Sequence, residues 1–384
     1  MTDRLVPRLQ GFGTTIFAEM SALAVETGAV NLGQGFPDVD GPAAVAEAAI
    51  AAIRGGANQY PPGPGIPDLR AAIAEHQARF WGMALDPDTE VLVTAGATEA
   101  ITAALLSLCE PGDEVVALEP TYDSYRAAAS MAGARLVPVP IRPPDYRLDV
   151  ERLRAAVSPR TRVLLLNTPH NPTGAVLTPE ELTAVAELCV ERDLLVVSDE
   201  VYEHMVFEGE HVPIATLPGM AERTLTVSSA GKTLSFTGWK VGWAVGPEDL
   251  VAAVRTAKQF LTYVNGAPFQ PAVAVGLRLP DDYFSGLRAD LLAKRDLLCA
   301  GLDAAGFDVY RPAGTYFVTA GIRALTDDDA LTFCRSLPAR CGVVAVPVSA
   351  FHADPRDGAD VVRFTFCKRR EVLDEAVARL KALA

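Results

Sequence analysis

"RVLLLNTPHNPTGAVLTPEELTAVAELCVERDLLVVSDEVY", residues 162–202, decides the fold. Two runs, 163–166 and 194–197, are apolar at every position. A strand with one face in water alternates polar and apolar residues, so these runs read as strands buried on both faces. Between them stands Thr178-Pro179-Glu180-Glu181, an N-cap threonine followed by proline at the first helical position and glutamate at the third. This predicts a helix running to about Glu191, just ahead of the second strand.

The same rhythm extends from about Thr89 to Val245. "EVLVTAG", "DEVVALEP", "ARLVPVPI", "RVLLLNTP", "LLVVSDE", "TLTVSS" and "KVGWAVG" are the strand candidates, with helical stretches alternating between them. The expected fold is α/β, a mostly parallel seven-stranded sheet covered by helices. After about Leu279 the rhythm changes. A long helical pattern over 283–304 precedes strands at "GTYFVTA", "GVVAVPV" and "VVRFTFCK" and a last helix from Glu371, which reads as a smaller α+β domain. The Gly- and turn-rich segment before Pro42 is too small for a domain and reads as an arm or part of the small domain. The expected division is 1–41 for that segment, 42–279 for the large domain and 280–384 for the small one.

With 384 residues, 49 % of them hydrophobic, the chain can bury a sizeable core. A net charge of −14 argues against nucleic acid as a partner, since phosphates call for a basic surface. Six scattered cysteines without a C-x-x-C pair suit reduced thiols in the cytoplasm. The five histidines show no ligand spacing, so no metal is expected. Neither a secretory signal nor a membrane span is expected: "MTDRLVPRLQGFG" has no apolar stretch, and "AAVAEAAIAAI" is short and carries Glu47.

In open α/β sheets ligands sit outside the carboxyl ends of the strands. After "VLVT", Ala95-Gly96-Ala97-Thr98 opens a helix and offers backbone N–H groups to a phosphate, or is an ordinary turn. After "LLLN", two prolines fix Asn171 in a loop. "LLVVS" ends in Asp199 with Tyr202 close by; a buried aspartate needs a partner, and helix capping is the alternative role. "TLTVSS" is followed by Gly231-Lys232, where a surface lysine competes with a semi-buried amine. Gly231-Lys232-Thr233 imitates the end of a phosphate-binding P-loop, but the required glycine five residues earlier is Thr226. A phosphate cradle, an amide, a carboxylate with a phenol and a lysine together suit pyridoxal phosphate.

At this point the chain resembles the fold-type I, class I and II pyridoxal-phosphate aminotransferases over essentially its whole length. The motifs occur in the family's order: "NQYPPGPG", "TAGATEA", "EPTYDSY", "NTPHNPTG", "SDEVY", "SSAGKTLSFTGWKVGW", "GTYF" and "VRFTF". The resemblance implies that Lys232 is the Schiff-base lysine, with Ser229, Lys240, Ala97 and Thr98 around the phosphate. It places Tyr122 against the ring, Asn171 and Tyr202 at O3′ and Asp199 at the ring nitrogen. It gives Arg363 the substrate α-carboxylate and Gly35 the loop lining the substrate. Tyr60 matches a tyrosine that reaches the phosphate of a neighbouring subunit, which implies a homodimer with shared sites. Lys240 departs from the pattern, since many relatives carry arginine there; lysine binds phosphate as a point charge rather than a fork.

Within the family, "NQYPPGPG", "GAPFQPAVA" and "VRFTFCK" are most similar to actinobacterial N-succinyldiaminopimelate aminotransferases of lysine biosynthesis. Kynurenine, glutamine and methionine aminotransferases are nearly as similar. A succinyl carboxylate calls for a cation, and Arg8, Arg126 and Lys258 are the candidates. Two other readings stand beside transamination. One is a C–S β-lyase on the same fold. The other is a dinucleotide-binding oxidoreductase or a non-catalytic binding protein, disfavoured because "GQGF" lacks the third glycine and opens no helix.

Overall fold

The computed structural model describes residues 4–13 and 15–383. After a short strand β1 (Val30–Asn31) come β2 (Val91–Thr94), β3 (Glu114–Glu119), β4 (Arg135–Pro140), β5 (Thr161–Asn167), β6 (Leu195–Asp199), β7 (Thr224–Ser229) and β8 (Gly242–Val245). All seven apolar runs are therefore strands, β2 to β8, and they form one sheet in the order β2-β8-β7-β6-β5-β3-β4. Every pairing is parallel except those of β8, which runs against both β2 and β7.

Successive side chains of these strands point to opposite faces, and helices cover both. Val115, Ala117, Val163 and Leu165 pack with Ile101 and Leu105 of the helix Ala97–Leu108 and Val254 of the helix Glu248–Lys258. Val116, Leu118, Leu164 and Leu166 face the other way, onto Leu182, Val185 and Leu188 of the helix Pro179–Glu191. That helix begins with the expected reciprocal cap. Thr178 Oγ1 accepts from the Glu181 N–H at 3.2 Å, and the Glu181 carboxylate accepts from the Thr178 N–H at 2.8 Å. The other oxygen of Glu181 takes the Leu148 N–H at 2.8 Å, so the cap also ties down the preceding loop.

The C-terminal part contains the helix Asp281–Ala304, β9 (Asp308–Tyr310), β10 (Phe317–Gly321), β11 (Val343–Val344), β12 (Val346–Pro347), β13 (Val361–Thr365) and the helix Arg370–Leu380. The strands β12-β13-β10-β9 make an antiparallel sheet, and β1 pairs in parallel with β11. "GVVAVPV" is thus two strands rather than the expected one. Val343 and Val344 pair with β1, whereas Val346 and Pro347 pair with β13 at the sheet edge, where a residue without an N–H is tolerated. β9 was not expected, being three residues long and partly exposed. No helix among the described residues is long and apolar enough to cross a membrane.

The carboxyl ends of β5, β6 and β7 converge with the start of the helix Ala97–Leu108. Arg363 of β13 faces them from the smaller sheet.

Candidate active site

A cavity of about 330 Å³ lies at this convergence. Eleven of the twelve residues singled out in the sequence line it: Gly35, Ala97, Thr98, Tyr122, Asn171, Asp199, Tyr202, Ser229, Lys232, Lys240 and Arg363. The twelfth, Tyr60, is 81 % exposed on the Pro-rich loop outside the cavity, its ring edge-on to Tyr263 at 5.6 Å.

Asp199 ends β6 and is buried. Burial pushes its carboxyl up to about 6, while hydrogen bonds from Tyr125 and the Val201 N–H and the charge of Lys232 pull the other way. Tyr125 Oη donates to Asp199 Oδ2 at 2.6 Å and so fixes the plane of the carboxylate. Asn167, the last residue of β5, locks the neighbouring loop. Its amide donates to the Asp199 carbonyl at 2.9 Å, and its Oδ1 accepts the Asn171 N–H at 2.7 Å.

Lys232 sits in the short helix Ala230–Thr233 after β7. Its amine lies 5.8 Å from the Tyr202 ring and 5.7 Å from the Tyr316 ring. Burial lowers its pKa; the nearby cations Arg363 and Lys240 add to the shift, and Asp199 opposes it. A cation in a dry site beside other cations gives up its proton more readily than one in water. The Tyr202 ring stands edge-on to Tyr316 at 5.2 Å, and the Tyr316 hydroxyl donates to the Gly35 carbonyl at 2.7 Å. Gly35 has no room for a side chain, because a Cβ there would stand 2.7 Å from the Phe317 ring.

At the other end, Lys240 Nζ lies against Gly96, 3.2 Å from where a Cβ would be. Gly96 has φ +79°, and Gly242 of β8 runs directly beneath it, where a Cβ would meet the Ala97 nitrogen at 2.8 Å. Three small residues therefore bring a helix N-terminus, Lys240, Ser229 and Thr98 to one place, an arrangement suited to a phosphate.

Arg363 is 1 % exposed. It donates to Asn171 Oδ1 at 2.9 Å and to the Gly33 carbonyl at 3.2 Å, and its guanidinium lies 4.0 Å from the centre of the Phe317 ring. Its Nε has no protein partner, and no carboxylate forms a salt bridge with it among the described residues. A fully desolvated cation held only by neutral acceptors is costly and invites an anion.

The three cations considered for a distal carboxylate do not line the cavity. Lys258 is buried and donates to the Tyr263 carbonyl at 2.8 Å, so it is a structural cation. Arg126 faces Glu119 at 3.7 Å, and Arg8 is exposed on the short turn Pro7–Leu9. Sequence reasoning left out Tyr125, Asn167 and Tyr316. Tyr125 follows Tyr122 by three residues, a spacing that puts both on one side of a helix start, and Asn167 is the polar end of an apolar run. Nothing local in the sequence signals that Phe17 lines the cavity.

The family described as "Aminotransferase class I and II" matches residues 27–380. The chain is 56 % identical to a "Probable N-succinyldiaminopimelate aminotransferase" of Mycobacterium tuberculosis, over 99 % of this chain and 98 % of that protein. A solved structure of N-succinyldiaminopimelate aminotransferase from that organism superposes with a TM-score of 0.96, covering 99 % of this chain and 100 % of the other. A methionine aminotransferase of Escherichia coli is 40 % identical over 99 % of both chains.

Proposed function

The chain belongs to the class I and II aminotransferases, and from that premise we propose a pyridoxal 5′-phosphate enzyme of lysine biosynthesis in the cytoplasm, transferring an amino group between N-succinyl-LL-2,6-diaminopimelate and 2-oxoglutarate. The observation that carries the chemistry is a pairing across one cavity. A desolvated lysine amine stands beside a buried carboxylate, opposite a buried arginine that has no carboxylate partner among the described residues.

The donor set fits the cofactor. Ser229, Lys240, Thr98 and the first N–H groups of the helix Ala97–Leu108 would take the phosphate, Tyr122 the ring face, Asn171 and Tyr202 the O3′ oxygen, and Asp199 the ring nitrogen. When bound, pyridoxal phosphate supplies a carbonyl carbon that reacts with amines and a ring that accepts electrons. Arg363 binds the substrate α-carboxylate and so orients its Cα–H bond. Lys232, when neutral, would take the Cα proton as general base and, then protonated, would give it back as general acid. Asp199, ionised and aimed by Tyr125, would hold a proton on the ring nitrogen. Gly35 and Phe317 line the substrate side of the cavity.

The substrate assignment rests on the full-length identity of 56 %. An amino-donor screen against 2-oxoglutarate tests it. N-succinyl-diaminopimelate should show the highest kcat/KM, and a tenfold preference for kynurenine, methionine or glutamine would overturn the assignment. Pyruvate and ammonia released from cystathionine without an oxo-acid acceptor would mark a lyase instead.

Asp199 also yields a pH prediction. Its carboxyl in the cofactor-free protein titrates at about 6, so below that pH a proton must leave before the ring nitrogen can be held. Cofactor affinity should therefore fall as pH drops through about 6. Tyr125→Phe removes a hydrogen bond that lowers this pKa, so the same break should appear at higher pH. Fluorescence titrations of cofactor-free protein across pH decide the matter; coincident breaks in the two proteins would strip Tyr125 of this role.

The exposed Tyr60, Tyr263 and Phe260 (81 %, 53 % and 80 % exposed) support a homodimer in which Tyr60 enters the partner's site. Mixing Lys232→Ala chains with Tyr60→Ala chains should then restore activity. Each mixed dimer would hold one site with both lesions and one with neither, giving about half the wild-type rate per dimer. No recovery after confirmed subunit exchange would place Tyr60 outside the neighbouring site.

A further inference from the structure

Three of the five histidines gather on the far side of the turn that carries Asp199 and Tyr202. Asp199 and Tyr202 face the cavity, whereas Glu203 and His204, next in the chain, face away from it toward the helix Pro67–Trp81. From this geometry we propose that His76, His204 and Glu203 bind a divalent first-row metal ion of the zinc type.

His76 Nε2 and His204 Nε2 approach to 2.9 Å. One ligand atom from each of the three residues lies within 4.8 Å of the others, and all three side chains are buried. With metal–nitrogen bonds of about 2.0–2.1 Å, nitrogens 2.9 Å apart subtend roughly a right angle at the ion. A single imidazole–imidazole hydrogen bond gives the same spacing, but it leaves the carboxylate unexplained. Glu203 is 2 % exposed and has no lysine or arginine partner among the described residues. It accepts from Ser228 Oγ at 2.8 Å and from the Gln77 amide at 3.5 Å, neutral donors that position it, while burial pushes its carboxyl up to about 7. The neighbouring Glu200 has partners of its own, His211 Nε2 at 2.9 Å and Ser198 Oγ at 2.7 Å. A dication balances Glu203, and two imidazoles with one carboxylate suit zinc, cobalt or nickel.

Two further features fit. Ser228 and Gln77 stand where metal-binding carboxylates usually have their supporting hydrogen bonds. Glu203 and His204 also line a separate cleft of about 580 Å³ beside Phe80, Trp81 and Phe284, which gives an ion a way in. Gln77 Oε1 is buried without a partner among the described residues, and a water bound to the ion is a donor for such an atom. An ion here joins the helix Pro67–Trp81 to the turn holding Asp199 and Tyr202, so its effect would be on the rigidity of that turn.

The test uses the holoenzyme, treated with chelator, incubated with Zn²⁺ and desalted before metal analysis. About one Zn²⁺ should remain per chain, and His76→Gln/His204→Gln should lose it. X-ray absorption at the zinc edge of the wild-type protein should show an all nitrogen and oxygen shell with imidazole scattering. This measurement stands even if the double variant does not fold. Failure of the wild type to retain Zn²⁺, a sulfur shell from any of the six cysteines, or undiminished binding by the folded variant would each overturn the proposal.

Discussion

Lys232→Ala is expected to abolish transamination while leaving the fold intact. The proposed role of the lysine is twofold, to join the cofactor covalently and to carry the Cα proton. A positioned general base alone is worth about 10²–10⁴-fold, and loss of the covalent attachment adds to it, so the rate should fall by about a millionfold. Stability should not follow. The amine approaches the rings of Tyr202 and Tyr316 only at 5.8 and 5.7 Å, and its lowered pKa shows that the site tolerates the charge poorly. Removing a desolvated cation removes a cost, so the thermal midpoint of the cofactor-free variant should equal or exceed that of wild type. Borohydride reduction and peptide mapping of the wild-type holoenzyme give the independent readout. The label must sit on Lys232; a label on Lys240 or any other lysine defeats the assignment.

The legibility of this molecule in its sequence has a physical boundary. The large sheet was readable because most of its strands are buried on both faces and leave apolar runs; β7, which alternates threonine with leucine and valine, and β4, only partly buried, were read from the same rhythm. Its order was not, since which run lies beside which is settled by packing across 150 residues, and β8 running antiparallel leaves no local mark. The cofactor side of the site was readable for a related reason. Polar residues that end buried strands, such as Asp199 and Ser229, are costly unless they have work, so they stand out. Arg363 was different: it lies on a strand of the smaller sheet, and only the family resemblance assigned it. The residues left out act on other residues. Tyr125 orients Asp199, Asn167 holds Asn171, and Tyr316 packs edge-on against Tyr202 and donates to Gly35, and such contacts exist only after folding. The buried histidines show the same limit. His76 and His204 are 128 positions apart in the chain, so no ligand spacing could announce them.

Asp199→Asn should separate the catalytic use of the carboxylate from its structural cost. In the assembled enzyme an amide cannot keep the ring nitrogen protonated, and it also presents Tyr125 Oη with a donor where an acceptor stood at 2.6 Å. The cofactor should still be retained, through Lys232 and the phosphate cradle, while kcat falls by about a thousandfold, or roughly 4 kcal/mol of transition-state stabilisation. A loss below about tenfold (~1.4 kcal/mol) would mean that another group protonates the ring. The cofactor-free protein should respond in the opposite sense. Asp199 titrates at about 6 in the folded chain and near its ordinary value of 3.8 when unfolded. Between those values the folded state binds more protons, so this residue subtracts stability as pH rises, reaching about 3 kcal/mol above pH 6. Asn carries no such charge. Urea unfolding of the two cofactor-free proteins should therefore diverge as pH climbs from about 4 to 7, with the variant the more stable at neutral pH, although it is the less active as holoenzyme. Equal stability of the two proteins at pH 7 would show that Tyr125, Val201 and Lys232 already compensate the buried charge in full, leaving no stored electrostatic cost for the ring nitrogen to relieve.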